Sequence, residues 1–329
     1  MTASLTTEQI PWGFVCGRIN VLETRLLGHD FLAALAAQPR TEEVLRQLQE
    51  TPLQEFLVPG SAWQDWSRIA DGYFHARAVS LRDDSPDPKV AALWLLDWDF
   101  LNLRATWTRQ SVFPFPAGML THERLDAIVA GDSSMLPQDM REEVDRTVQE
   151  LGNAPTSDLD AALDGAYLRT LLHLAGSIGA PVIDACIGDF VLGKAIAWLW
   201  RAVRARQGLK TFQRFLLPLN GYTGILEEIL AAPDPKSWPG IAPGRFGELI
   251  ETALEHEEDE RIPAFEQLAA AHILQMARRG QDQVFGPERV FSYLATLKNE
   301  MYNVKLIVCG RLNRIDASVL KRRLRECYG

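Results

Sequence analysis

Leu93-Trp-Leu-Leu-Asp-Trp-Asp-Phe-Leu-Asn-Leu-Arg-Ala-Thr-Trp107 is one of three stretches that share a single apolar rhythm. Its apolar positions Leu93, Leu96, Phe100, Leu103 and Trp107 step 3, 4, 3, 4. Ile183, Cys186, Phe190, Gly193 and Ala197 repeat those steps, and so do Leu294, Leu297, Met301, Val304 and Val308. This spacing keeps each set on one stripe of an α-helix. Inside each stripe an acid, a bulky apolar residue and a base recur in register. They are Asp99, Phe100 and Arg104; Asp189, Phe190 and Lys194; Glu300, Met301 and Lys305. Asn102 and Asn303 match as well, whereas Leu192 takes that place in the middle copy. Acid and base five positions apart lie about 140° apart around a helix, too far for an i,i+4 pair. They are expected to face different neighbours across the buried stripe.

The three copies predict an all-α chain of three pseudo-repeated helical domains, a pseudo-threefold object. The boundaries are placed at 1–130, 131–235 and 236–329. The echo Phe113-Pro-Phe-Pro-Ala-Gly-Met-Leu120 and Phe215-Leu-Leu-Pro-Leu-Asn-Gly-Tyr222 ends one helix and opens another after the first two copies. Further helices are expected from Gly13, over Asp30 to Ala37, over Thr41 to Gln49 and over Pro137 to Leu151. Asp83 to Pro88 reads as a turn, and Ala231 to Gly244 as the clearest connector.

Composition narrows the function. The 329 residues are 47% hydrophobic with a net charge of −9, and mean hydropathy is −0.09. No run has the length of a membrane span, and the opening residues lack the basic and apolar regions of a signal peptide. Four scattered cysteines (Cys16, Cys186, Cys309, Cys327) without a CxxC suit a reduced, cytoplasmic protein. The negative balance argues against nucleic acid as a partner. From Lys298 onward, however, eight bases meet three acids, whereas Glu255 to Glu260 is densely acidic. Both read first as solvated faces, and otherwise as docking surfaces for partners of opposite charge.

Three motifs invite an enzymatic reading. Gly188-Asp-Phe-Val-Leu-Gly-Lys194 satisfies the GxxxxGK of a P-loop. Ala195 stands where a hydroxyl should hold magnesium, and Asp189 would repel phosphate, so a helix is expected instead. Ala175-Gly-Ser-Ile-Gly179 approaches a nucleophile elbow, but Pro181 follows at once and a helix–turn–helix joint fits better. Asp83-Asp-Ser-Pro-Asp87 spells the DDxxD of diphosphate-handling enzymes, with prolines that break the helix this chemistry needs. The six histidines have no metal-ligand spacing. No catalytic residue, cofactor site or metal site is expected. A P-loop or diphosphate-handling enzyme and a generic helical scaffold stay as the alternatives.

The layout resembles the C subunit of the prokaryotic V/A-type ATPase or ATP synthase, the counterpart of the d subunit in vacuolar ATPases. The likeness is carried by Val15-Cys-Gly-Arg-Ile-Asn-Val-Leu-Glu-Thr-Arg-Leu-Leu27, by Asp97 to Arg104, by Tyr293 to Lys305 followed by Gly310-Arg311, and by the Pro-Gly joints after the first two copies. The resemblance implies a helical funnel of three similar domains around a pseudo-threefold axis, a non-catalytic central-stalk adaptor on the cytoplasmic face of the membrane. Its partners would be the D and F subunits of the central shaft, the proteolipid ring and other ATPase subunits, with membrane contact only through the ring. Asp99, Asn102, Arg104, Asp189, Lys194, Glu300, Asn303 and Lys305 would serve as structural or interface positions.

Overall fold

The computed structural model describes residues 10–56, 65–108, 118–134, 136–151 and 158–327. Among them every regular element is helical and no strand occurs. In chain order the α-helices are α1 (Gly13–Glu23), α2 (His29–Ala37), α3 (Thr41–Gln49), α4 (Trp66–Asp84) and α5 (Lys89–Trp107). Then come α6 (His122–Val129), α7 (Gln138–Leu151), α8 (Leu159–Ile178), α9 (Pro181–Ala205) and α10 (Leu209–Phe215). The remainder are α11 (Thr223–Ala231), α12 (Arg245–Leu254), α13 (Arg261–Arg278), α14 (Pro287–Leu312) and α15 (Ala317–Arg323).

The three repeated stretches are the long helices α5, α9 and α14, as their rhythm predicts. Their ends have local causes. Asp87 accepts the Lys89 amide at 3.0 Å and starts α5. Gly179 closes α8 in the left-handed conformation at φ 71°, and Pro181 then opens α9, where its missing N–H costs nothing. Gly286 is the N-cap of α14, and Pro287 opens that helix in the same way. Leu96, Phe100 and Leu103 of the first stripe are buried, as are Leu294, Met301 and Val304 of the third; in the middle stripe Ile183, Cys186 and Ala197 are buried, whereas the central Phe190 is half-buried.

Two compact units divide the chain, one of residues 1–95 and 277–329, the other of residues 96–276. In the first, α1, α2, α3 and α4 pack against α14. Trp94 stacks on Phe291 with ring centroids 4.9 Å apart. In the second, α7 and α9 flank α8, and α10 seats against both α8 and α9. The connector Ala231 to Gly244 is more structured than its Pro and Gly content predicts. It carries a 3-10 helix, Pro235–Gly240, whose fully buried Trp238 packs against Trp200 at 5.5 Å. Its indole N–H donates to the Ala232 carbonyl at 2.7 Å. One apolar anchor with a satisfied N–H turns a linker into core. Of the first-copy echo, residues 113–117 lie outside the described residues.

Close packing in the second unit depends on Gly165 of α8. A methyl group there would overlap the Phe215 carbonyl oxygen, which also accepts from Arg169 Nη1 at 2.9 Å. Gly176 on the same helix has open space around it. Gly165→Ala is therefore expected to destabilise the protein by about 1–3 kcal/mol. Gly176→Ala should leave stability unchanged or raise it by up to about 1 kcal/mol. Urea midpoints of the two variants check this, and equal midpoints would show that the close approach at Gly165 has no energetic weight.

Candidate functional site

The repeated acid and base stand on opposite flanks of each buried stripe and do different work. Asp99 is almost fully buried. Its carboxylate accepts the backbone N–H of Met119 at 2.8 Å and of Leu120 at 3.0 Å. Those two residues immediately precede α6, which Thr121 caps. Glu300 is fully buried and repeats the contact, accepting from Leu27 at 3.1 Å and Gly28 at 2.9 Å. That pair immediately precedes α2. In both copies a carboxylate on a long helix thus holds two consecutive amides that enter a short helix. Burial pushes the Asp99 carboxyl up to about 7, against the pull of the Met119 and Leu120 amides. Glu300 is raised for the same reason, opposed by Gly28 and Leu27.

The middle copy is built differently. Asp189 is less buried and bonds His272 of α13, with 2.7 Å between Oδ2 and Nε2. Gly188 makes room for the Tyr222 hydroxyl, which would collide with any side chain there. Tyr222 stands at the start of α11, the place that Leu120 and Gly28 approach in the other copies. Burial, then the charge of Asp189, raises its phenol above the usual tyrosine range. Gly193 admits the Phe246 ring, which would lie 3.2 Å from an added methyl. The two glycines peculiar to this copy are where neighbouring aromatic rings enter.

Two of the three bases, Arg104 and Lys305, reach the helix that precedes another copy. Arg104 Nε pairs with Asp160 at 2.9 Å and Nη2 with Asp164 at 2.6 Å, both on α8, which leads into α9. Lys305 pairs with Asp71 at 2.8 Å on α4, which leads into α5. Lys194 lies over the Phe190 ring, 5.8 Å from its centroid. Burial raises the Asp164 carboxyl despite Arg104 and Lys194.

Asn303 is fully buried, and with Asn299 it clamps residues 325–327. Asn303 Nδ2 donates to the Arg325 carbonyl at 2.8 Å, and its Oδ1 accepts the Arg325 amide at 3.0 Å. Asn299 Nδ2 donates to the Glu326 carbonyl at 2.8 Å. Both amides also point at the Cys327 sulfur, whose thiol burial pushes up to about 12. Asn102 is fully buried too. The acids Asp71 and Asp164 escape a motif reading because they lie outside the stripes. Their one signal is position, 28 residues before Asp99 and 25 before Asp189. Nothing in the repeat pattern points to His272.

These contacts do not build the phosphate loop that the GxxxxGK spacing spells. Gly188 to Lys194 lies within α9, so its backbone amides sit in a helix and cannot cradle phosphate. Among the described residues no group of His, Cys, Asp and Glu side chains gathers as a metal ion would require, and no helix is long and apolar enough to cross a membrane.

The ATP synthase (C/AC39) subunit family matches residues 15–323, nearly the whole chain. The chain belongs to that family. It is similar to the C subunit of the V-type sodium ATPase of Enterococcus hirae, with 23% identity over 269 residues, covering 75% of this chain and 78% of the relative. The C/AC39 proteins are non-catalytic members of V-type ATPases, which accords with the structural work that the repeated acids and bases do here.

The Asp99 contact gives a signed pH dependence. A carboxyl raised from 3.8 to about 7 on folding contributes stability that is complete below the unfolded value and is lost as pH rises through the folded one. The C/AC39 protein should therefore lose part of its stability between pH 4 and about 7. Asp99→Asn removes one acceptor from the amide pair and should cost about 1–3 kcal/mol at the acid end of that window. The gap between variant and native protein should narrow toward neutrality. Urea midpoints across the window test this, and a constant gap would refute it.

Proposed function

We propose that this C/AC39 protein is the central-stalk adaptor of a rotary V/A-type ATPase. It joins the proteolipid ring to the central shaft, made of the D and F subunits, and passes torque between ion transport and ATP chemistry. It sits on the cytoplasmic face of the membrane as a peripheral protein, touching the bilayer only through the ring. The single observation that carries the reading is the family match over residues 15–323, which leaves no room for a separate catalytic domain within that span.

On this reading the chain forms three helical domains, 1–130, 131–235 and 236–329, about a pseudo-threefold axis, and their funnel takes the shaft tip. The recurring contacts support it. Asp99 and Glu300 make the same two-amide contact in different copies. Arg104 ties the first copy to the helix leading into the second, and Lys305 ties the third to the helix leading into the first. Ties of this kind suit a part that must turn without shearing. Charge-assisted hydrogen bonds of this kind are worth about 1.5–3 kcal/mol each, and partial burial shields them from salt. Apolar burial then sets the strength of the socket, and polar complementarity sets its register.

The isolated protein should capture its cognate D–F shaft complex in a pull-down at low salt and release part of it at high salt, because contacts between exposed charges weaken as the Debye length shortens. Circular dichroism run alongside should show an unchanged helical fold. A folded protein that fails to bind the shaft at low salt would overturn the adaptor reading.

A further inference from the structure

The chain is acidic overall, yet one edge of the first unit is basic and concave. There an open cleft of about 590 Å³ runs between the end of α2, the start of α3 and the turn from α14 into α15. Arg40, Arg311 and Arg314 line it, with Glu42 and Asp316 among the other lining residues. Each arginine is placed by the backbone. Arg40 stands at the N-cap of α3, whose first turn carries Glu42 and Glu43, the latter engaged by Arg46 and Gln47. Arg311 is fixed by donating to the Ala36 carbonyl of α2. Arg314 takes the left-handed conformation at φ 57°, which turns the chain sharply between α14 and α15. Gly310 permits that turn, because the Leu320 side chain fills the space where a Cβ would stand.

α15 extends the same edge. Ala317 lines the cleft, and Lys321, four residues on, lies on the same helix face. Lys321, Arg322 and Arg323 are exposed. Arg322 and Arg311 both act on Asp316, lowering its carboxyl after the larger effect of the Ser318 hydrogen bonds. Asp316 is thereby committed to capping α15. Among the described residues Arg314, Lys321 and Arg323 form no side-chain ion pair.

We propose that this cleft docks a carboxylate-rich segment of a partner protein. Three features favour a protein carboxylate over a bilayer. The surface is concave rather than flat. Its three lining cations are all arginines, set against the carboxylates of Glu42 and Asp316, and the planar fork of arginine matches carboxylates two bonds at a time, whereas lysine acts as a point charge. Its central guanidinium is held in place before any ligand arrives, which lowers the ordering cost of binding. Charge complementarity identifies the occupant as an extended acidic peptide that enters past Arg40 and Arg314 and follows α15 toward Lys321. This inference stands apart from the adaptor reading and names a second contact, distinct from the shaft.

The test uses the full chain and a fluorescein-labelled hexaglutamate peptide, read by anisotropy at low and high salt. The native protein should bind in a salt-sensitive manner. The double variant Arg40→Glu/Arg314→Glu should lose about tenfold in affinity, with Arg40→Gln/Arg314→Gln between the two. Arg25→Glu/Arg68→Glu, an equal charge change at exposed arginines outside the cleft, should bind as the native protein does. Circular dichroism confirms that each variant is folded. Absence of peptide binding at low salt would overturn the proposal, as would equal losses in the two charge-reversal variants. So would capture by phosphatidylserine vesicles through Arg40 and Arg314 without peptide binding, since that would assign the edge to the membrane. Shaft pull-down by the same variants should be unchanged, so failure here and failure of the adaptor reading give different results.

Discussion

A buried carboxylate that accepts two consecutive backbone amides is the constraint around which this helical chain is arranged. Long amphipathic helices pack readily but slide readily too, because apolar contact is non-directional. Asp99 and Glu300 remove that freedom. Each fixes the entry of a short helix against one point on a long helix, with two bonds whose geometry admits no slip. The cost is a desolvated acid. The raised Asp99 and Glu300 carboxyls show that burial outweighs the donated amides. Each site therefore gives up part of its bonding energy to fix position.

How far the sequence reveals this arrangement depends on whether a feature is periodic. The helices α5, α9 and α14 are legible because burial of one face imposes a rhythm on the side chains. The divergent roles of acid and base follow from their angular separation alone. Their partners do not. Asp71, Asp164 and His272 carry no local pattern, since a charge pair between helices needs one residue in the right place and nothing around it. The Ala231 to Gly244 connector misleads for the opposite reason. Its Pro and Gly content signals a linker, and a single fully buried tryptophan makes it part of the core.

The middle copy shows what happens when such an anchor is released. With Gly188 beside the stripe and Gly193 in it, aromatic rings from outside the helix enter the space that side chains occupy elsewhere. Asp189 then turns to His272. A symmetric repeat is under no physical obligation to stay symmetric once packing can substitute for a hydrogen bond. The site tolerates the exchange because Asp189 keeps partial access to solvent and is spared the full desolvation that Asp99 bears.

The division of the chain also bears on how it reaches this state. The second unit is continuous in sequence, residues 96–276, whereas the first joins residues 1–95 to residues 277–329. During synthesis the helices α1 to α4 emerge long before α14, the helix they pack against, and they carry Ile19, Leu35, Val44 and Phe74, all buried in the finished fold. Those apolar faces must wait while an entire intervening unit is made. Such a delay exposes surface that invites aggregation, and closing so long a loop slows folding. A chain of this design is a natural client for chaperones during synthesis, and its first-made quarter is the part that needs shelter longest.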